Sequence, residues 1–217
     1  MSLVAQVWDA YQTFQQSNPL LGSMLTAEAT FTLGDIVSQL IVDKKVDWKK
    51  VSYTAKLAPI YGAGVYGLME SGDLVGKLIS EHPLVKAALG PNLFGNVLNS
   101  YFFANNTIGE RNGYKIRELV NNYASIFSQK DNKTFFQNFK EKYIKNIPGK
   151  EFLKSVIVTL TVWNGIQYLN YSYVSDEMRT PVALACGVAW LSVLSLWSLK
   201  GRRKIVYDKP DKYQSSL

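Results

Sequence analysis

With one cysteine, Cys186, and one histidine, His82, in 217 residues, the chain is short of the side chains on which several chemistries depend. An intrachain disulfide needs two thiols, so none can form, and a His-based metal cluster has no ligand set. Zinc, iron-sulfur and Cys/His nucleophile chemistry are therefore not expected, nor is any cofactor or metal. No carboxylate dyad stands in a defined setting, so the sequence does not point to an enzyme. Cys186 lies in an apolar helix between Ala185 and Gly187, where a buried, inert thiol is expected. The first sixteen residues hold Asp9 but no Lys or Arg. They match neither a secretory leader nor an Arg-rich transit peptide, so organelle import is expected to use internal signals.

Charge is scarce in stretches rather than throughout. The mean hydropathy is only -0.05, a value that also suits a soluble helical domain. Yet residues 155–175 and 180–199 carry no charge, and only Asp176, Glu177, Met178 and Arg179 separate them. About twenty helical residues cover the roughly 30 Å of a bilayer's hydrocarbon core, so the two runs predict a transmembrane hairpin. Residues 20–42, 51–69 and 84–108 are further candidate spans. The fold class expected is all-α: a single membrane-embedded domain over 1–217, built as a transmembrane bundle of four to five spans.

The remaining segments are amphipathic or basic. In 1–18, Leu3, Val4, Val7, Trp8, Tyr11 and Phe14 recur at helical spacing opposite Gln6, Asp9, Gln12 and Gln16. This predicts an amphipathic helix at the interface or packed on the bundle, ended by Asn18-Pro19. Residues 110–154 form a basic extramembrane segment, and 200–217 a basic tail. Within the former, Phe135, Phe136, Phe139, Tyr143 and Ile147 fall at helical spacing. Lys133, Lys140, Lys142 and Lys145 occupy other positions and are expected to meet anionic, cardiolipin-type head groups. No nucleic-acid module surrounds them, so nucleic acid is not an expected partner.

Polar residues inside the spans are the candidate functional groups. Glu28 and Asp35 are seven residues apart and share nearly one helix face, with Gln39 one turn on. An acid near the middle of a span costs about 2.5 to 3.5 kcal/mol, so it should face protein or water, with Lys56 or Arg179 as partner. With Gln39, Asn96, Asn99, Gln167 and Asn170 these acids make a candidate polar lining; structural pairing and interhelical hydrogen bonds are the alternatives. Ala58 and Gly62, then Ala63 and Gly67, are small-residue pairs suited to close helix contact.

Charge placement gives a separate check on five passes. The loops then fall on two sides: the N-terminus, 70–86 and 175–180 on one, and 43–50, 110–154 and the tail on the other. Twenty basic residues lie on the second side against three on the first. That asymmetry follows the rule for multipass proteins and marks the second side as matrix or cytosol.

Two sets of residues also resemble a known family. Trp163, Gln167, Asn170, Tyr171 and Val174, then Arg179 and Trp190 with Leu194 and Ser195, keep the register of the C-terminal signature of the Mpv/PMP family of peroxisomal and mitochondrial inner-membrane proteins. Asn164, Tyr171 and Ser175 replace its Pro, Phe and Pro. Near the other end, Trp8, Tyr11, Pro19, Leu25, Thr26, Gly34, Asp35 and Gln39 match a second pattern. The middle of the chain matches poorly: the family's His after a G-P motif and its Asp-Gln pair are missing. The resemblance implies a multi-pass protein of the mitochondrial inner membrane or, alternatively, the peroxisomal membrane. It implies a channel-like role in metabolite permeability, usually drawn with four spans. Two functions are thus expected: an accessory subunit of a larger membrane assembly such as a respiratory chain complex, with other membrane subunits as partners, or a channel-like pore for small metabolites or ions.

Overall fold

The computed structural model describes residues 2–128 and 133–207, without the side chains of Leu93 and 199–207. All regular structure among the described residues is helical. Helix α1 (Leu3–Ser17) starts where the Ser2 hydroxyl accepts the Ala5 N–H, and it ends at Asn18. Pro19, whose missing N–H costs nothing in a first turn, opens α2 (Pro19–Val42).

The next helix is longer than the sequence suggests. Against an expected span of 51–69, α3 runs Trp48–Leu78, capped by Asp47, which accepts the Lys49 and Lys50 N–H groups at 3.0 and 3.5 Å. Hydropathy fails at Glu70, but the backbone continues because Glu70 and Lys77 are exposed there.

Gly90-Pro91 falls within the candidate span 84–108, where a proline would ordinarily break a helix. Instead, a π-helical turn over Ala88–Asn92 joins α4 (Pro83–Ala87) to α5 (Leu93–Arg111). A wide turn accommodates a proline that cannot donate to the preceding turn. Gly90 is needed for a crossing: a Cβ there would strike the backbone of Gly72 in α3.

The basic segment folds as short pieces, and the stretch 135–147 expected to be one helix is divided. These are α6 (Ile116–Ala124), a 3-10 turn Ser125–Phe127, α7 (Phe135–Lys142) and a second 3-10 turn Ile144–Asn146. Thr134 and Gln137 close a capping box at the start of α7. Then α8 (Gly149–Val158), a second π turn Thr159–Trp163 and α9 (Asn164–Tyr173) form one rod.

Helix α10 (Asp176–Tyr207) absorbs the charged residues expected to link the hairpin, so the turn is only Val174 and Ser175. Asp176 and Glu177 suit a first turn, where free N–H groups and the helix dipole favour negative charge. These N–H groups and Ser175 hold the Glu177 carboxyl below the usual carboxylate range. Residues 208–217 of the basic tail lie outside the described residues.

Helices α2 and α3 pack closely because Gly62 meets α2: a Cβ on it would stand 2.5 Å from the Ser23 carbonyl oxygen and 2.7 Å from Met24 Cα. Gly34 similarly admits α10, with Leu191 Cβ only 3.2 Å from its missing Cβ. Gly67, of the second small-residue pair, meets nothing within 4 Å.

The interior holds an aromatic cluster of Phe31, Tyr53, Tyr61, Phe102 and Phe103. Buried among them is Asn105, fully enclosed. Its Nδ2 donates to Tyr61, its Oδ1 accepts from Tyr123 at 2.5 Å, and its carbonyl accepts from Tyr53 at 2.9 Å. Burial pushes the Tyr123 hydroxyl well up, so it stays a donor.

Polar side chains share the interior with the hydrophobic core, and many large apolar side chains are exposed. Asn92, Asn99, Asn106, Gln167, Asn170 and Arg179 are buried, whereas Leu25, Leu33, Ile60, Val97, Ile157 and Leu169 are each about half exposed or more. Even so, among the described residues only the segment Asp176–Ser198 is long and apolar enough by itself to cross a membrane, and 44% of its apolar window is buried.

Candidate functional site

Asp35 sits three-quarters of the way along α2, 3% exposed, and its partner is neither Lys56 nor Arg179. Lys50, in the first turn of α3, reaches Asp35 Oδ1 at 2.6 Å. Gln39 Nε2 and Thr54 Oγ1 donate to Asp35 Oδ2 at 2.9 and 3.2 Å. Gln39 Oε1 accepts the Asp47 N–H at 2.6 Å, so one polar clasp ties the α2–α3 turn together. Lys56 is exposed, and Glu28, expected to share the face of Asp35, is exposed on the outer side of α2. Seven residues leave two side chains only roughly aligned, and the packing of α3 falls between them.

The C-terminal motif residues do converge. Trp163 meets Trp190 edge to face with ring centres 6.2 Å apart. Asn170 Nδ2 donates to Gln167 Oε1 at 3.1 Å and to the Arg179 carbonyl at 3.0 Å, pinning the hairpin turn. The Arg179 guanidinium, 9% exposed, lies 4.8 Å over the Tyr171 ring and reaches Asp73 and Asp176, both at 2.8 Å. Tyr171 donates to the Met69 carbonyl at 2.8 Å. The hairpin is thereby locked to the far half of α3.

The N-terminal motif residues play a parallel part. Tyr11 and Thr26 share a 2.8 Å hydrogen bond, and Gln15 Nε2 donates to Tyr11 at 2.9 Å, which docks α1 on α2. Trp8 stacks loosely on Tyr11 and stays half exposed, as do Leu3, Val4 and Val7.

Two hollows meet at Met69. A cavity of about 110 Å³ lies at the bundle centre, walled by Phe31, Tyr61, Trp163 and Trp190 and by the polar Asn92, Asn99, Thr159 and Gln167. Both π turns contribute to this wall, through Pro91 and Asn92 and through Thr159 and Trp163. A polar vestibule of about 430 Å³ opens beside it, lined by Glu70, Asp73, Glu81, Asp176 and Glu177 with Lys77 and Lys86. Lys86 bonds Glu81 at 2.5 Å and stands 3.7 Å from Asp73. Met69 lines both hollows and separates them.

Of the expected lining, Asn99 and Gln167 border the central cavity. Asp35 is locked in its clasp, Glu28 faces outward, and Asn96 bonds back to the Asn92 carbonyl at 3.3 Å. The amides pair across helices instead: Asn92 with Asn164 at 2.5 Å and Asn99 with Thr159 at 3.0 Å. Asn105 is one of the polar amides of the 84–108 segment, but its partners were not foreseen; no spacing rule links it to tyrosines 18, 44 and 52 residues away.

In the basic segment, Lys140, Lys142 and Lys145 are exposed beside Phe135, Phe136 and Ile144, which are also exposed. Phe139 and Tyr143 turn inward and stack on each other, ring centres 5.1 Å apart. Lys133 instead bonds Glu141 at 2.8 Å, a hydrogen bond that holds the Glu141 carboxyl below its ordinary value. Cys186, expected to be buried, is exposed. Among the described residues, no group of His, Cys, Asp and Glu could hold a metal ion. Searches of family models, curated proteins and solved structures find no match to the chain.

Proposed function

We propose that the chain is a non-enzymatic, multi-pass membrane protein of the mitochondrial inner membrane, acting as an accessory subunit of a larger assembly such as a respiratory chain complex. The large apolar side chains left exposed, together with the amides held inside, carry this reading. Half-exposed Leu25, Leu33, Val97, Ile157 and Leu169 suit lipid, and Asn92 and Asn99 are held by Asn164 and Thr159 across the rods. Paired amides make a packed scaffold rather than a hydrated lumen. The family resemblance at Trp8, Tyr11, Gln39, Trp163, Gln167, Asn170 and Arg179 supports the membrane setting, and the exposed lysines of α7 suit anionic lipid.

The meeting of vestibule and central cavity at Met69 favours a second reading, a channel-like passage for small metabolites or ions. Native membranes solubilised in mild detergent separate the two. Stable comigration with a membrane complex is the expected result. A solitary chain that conducts when reconstituted, with current altered by Met69→Ala, would replace the first reading with the second.

A further inference from the structure

Two charges are stranded on the apolar exterior. Glu28 is the tenth residue of α2, exposed between Leu25 and Leu33, which are 50% and 52% exposed. Lys56 is exposed on α3, one turn from Ile60 at 53%. Among the described residues neither has an ion pair or hydrogen bond. A carboxylate facing hydrocarbon is costly, so its partner has to come from outside the protomer.

The surface around them has the form of a helix-packing face. Glu28 stands on an open groove of about 490 Å³ floored by Ala29, Thr32 and, from α3, Ala55, the neighbour of Lys56. The Thr32 hydroxyl is buried there without a partner. The helices are antiparallel, with Gly62 against Ser23 and Met24, and Thr54 bonded to Asp35. That register places Lys56 about one turn, roughly 5 Å, from the level of Glu28. Two long side chains bridge such an offset where small residues let backbones approach.

Resting on the membrane reading above, we propose that a second copy of the chain docks on this α2–α3 face about a two-fold axis along the membrane normal, with Glu28 of each protomer paired to Lys56 of its partner. A two-fold contact is reciprocal: if Glu28 meets Lys56, Lys56 also meets Glu28, so a single interface removes both stranded charges. An unrelated helix bearing one cation would leave Lys56 unanswered.

The test is charge reversal in the full chain, reconstituted into lipid nanodiscs and sized by mass measurement against the 24.4 kDa protomer. The wild type is expected to be dimeric. Glu28→Lys and Lys56→Glu each set like charges opposite one another and should weaken association by about tenfold or more. The double reversal should restore it. Circular dichroism and melting of each variant report folding, and the milder pair Glu28→Gln and Lys56→Gln serves if a reversal fails to fold. A wild type that stays monomeric in bilayers overturns the dimer, as does a double reversal no better than the singles. A chain stripped from membranes by alkaline carbonate overturns the membrane reading and the dimer with it.

Discussion

A buried charge is tolerated only with a full set of partners, and Asp35 has them in Lys50, Gln39 and Thr54. Lys50→Met should therefore destabilise the fold by about 3–5 kcal/mol, because it leaves a carboxylate uncompensated. Asp35→Asn combined with Lys50→Met should recover much of that loss, as measured by thermal unfolding in detergent. The sequence made Asp35 stand out but misnamed its partner, since pairing depends on the register of α2 against α3, which no spacing within α2 encodes. Arg179 was legible as a motif residue, whereas its contacts to Asp73 and Tyr171 arise from chain more than one hundred residues away on one side and a hairpin turn on the other. Arg179→Lys should lower the melting temperature despite conserving charge, because an ammonium cannot serve two carboxylates and a ring face together. Glu141 gives a pH-dependent case. Its carboxyl titrates lower in the folded chain than its ordinary 4.5, so the stabilising contact with Lys133 is complete above that value and is lost as pH falls through the folded one. Hydrogen-exchange protection factors in α7, corrected for the intrinsic rate at each pH, should fall on acidification below about pH 4.5, and Lys133→Ala should abolish that fall.

Among the elements, the two small-residue pairs of α3 looked equivalent in sequence but are used differently. Gly62→Ala should disrupt α2–α3 packing, since its Cβ would stand 2.5 Å from a carbonyl oxygen, while Gly67→Ala should leave the protomer's melting unchanged. Comparing their melting curves checks both. Helix α7 was foreseen as basic and aromatic, but as part of one longer helix. The chain breaks at Tyr143 because Phe139 and Tyr143 stack inward while Ile144 turns out. Replacing Lys140, Lys142 and Lys145 by glutamate should reduce the anionic lipid retained through purification, read by mass spectrometry of the lipid extract, with little effect on the fold because all three side chains are exposed.

At the level of the whole molecule, the helical class and the positions of most rods were readable because long uncharged runs survive in the sequence. The interior was less readable, because Asn99, Asn105, Gln167 and Asn170 are polar residues pointing inward, and a running average treats them as though they met solvent. Topology is directly testable. Cysteines introduced at Glu81 and at Lys140, in a chain with Cys186 replaced by serine, should label from opposite faces of a sealed vesicle; labelling from one face would remove the five-pass layout. The wide turns at Ala88–Asn92 and Thr159–Trp163 carry a consequence for descent. Each is one residue too many for regular winding, so losing that residue would swing one half of its rod by about 100° against the other. Lineages that shed it would exchange the side chains shown to lipid for those shown to the interior, so single-residue gaps at these places should be accompanied by wholesale trading of hydrophobic for polar positions upstream.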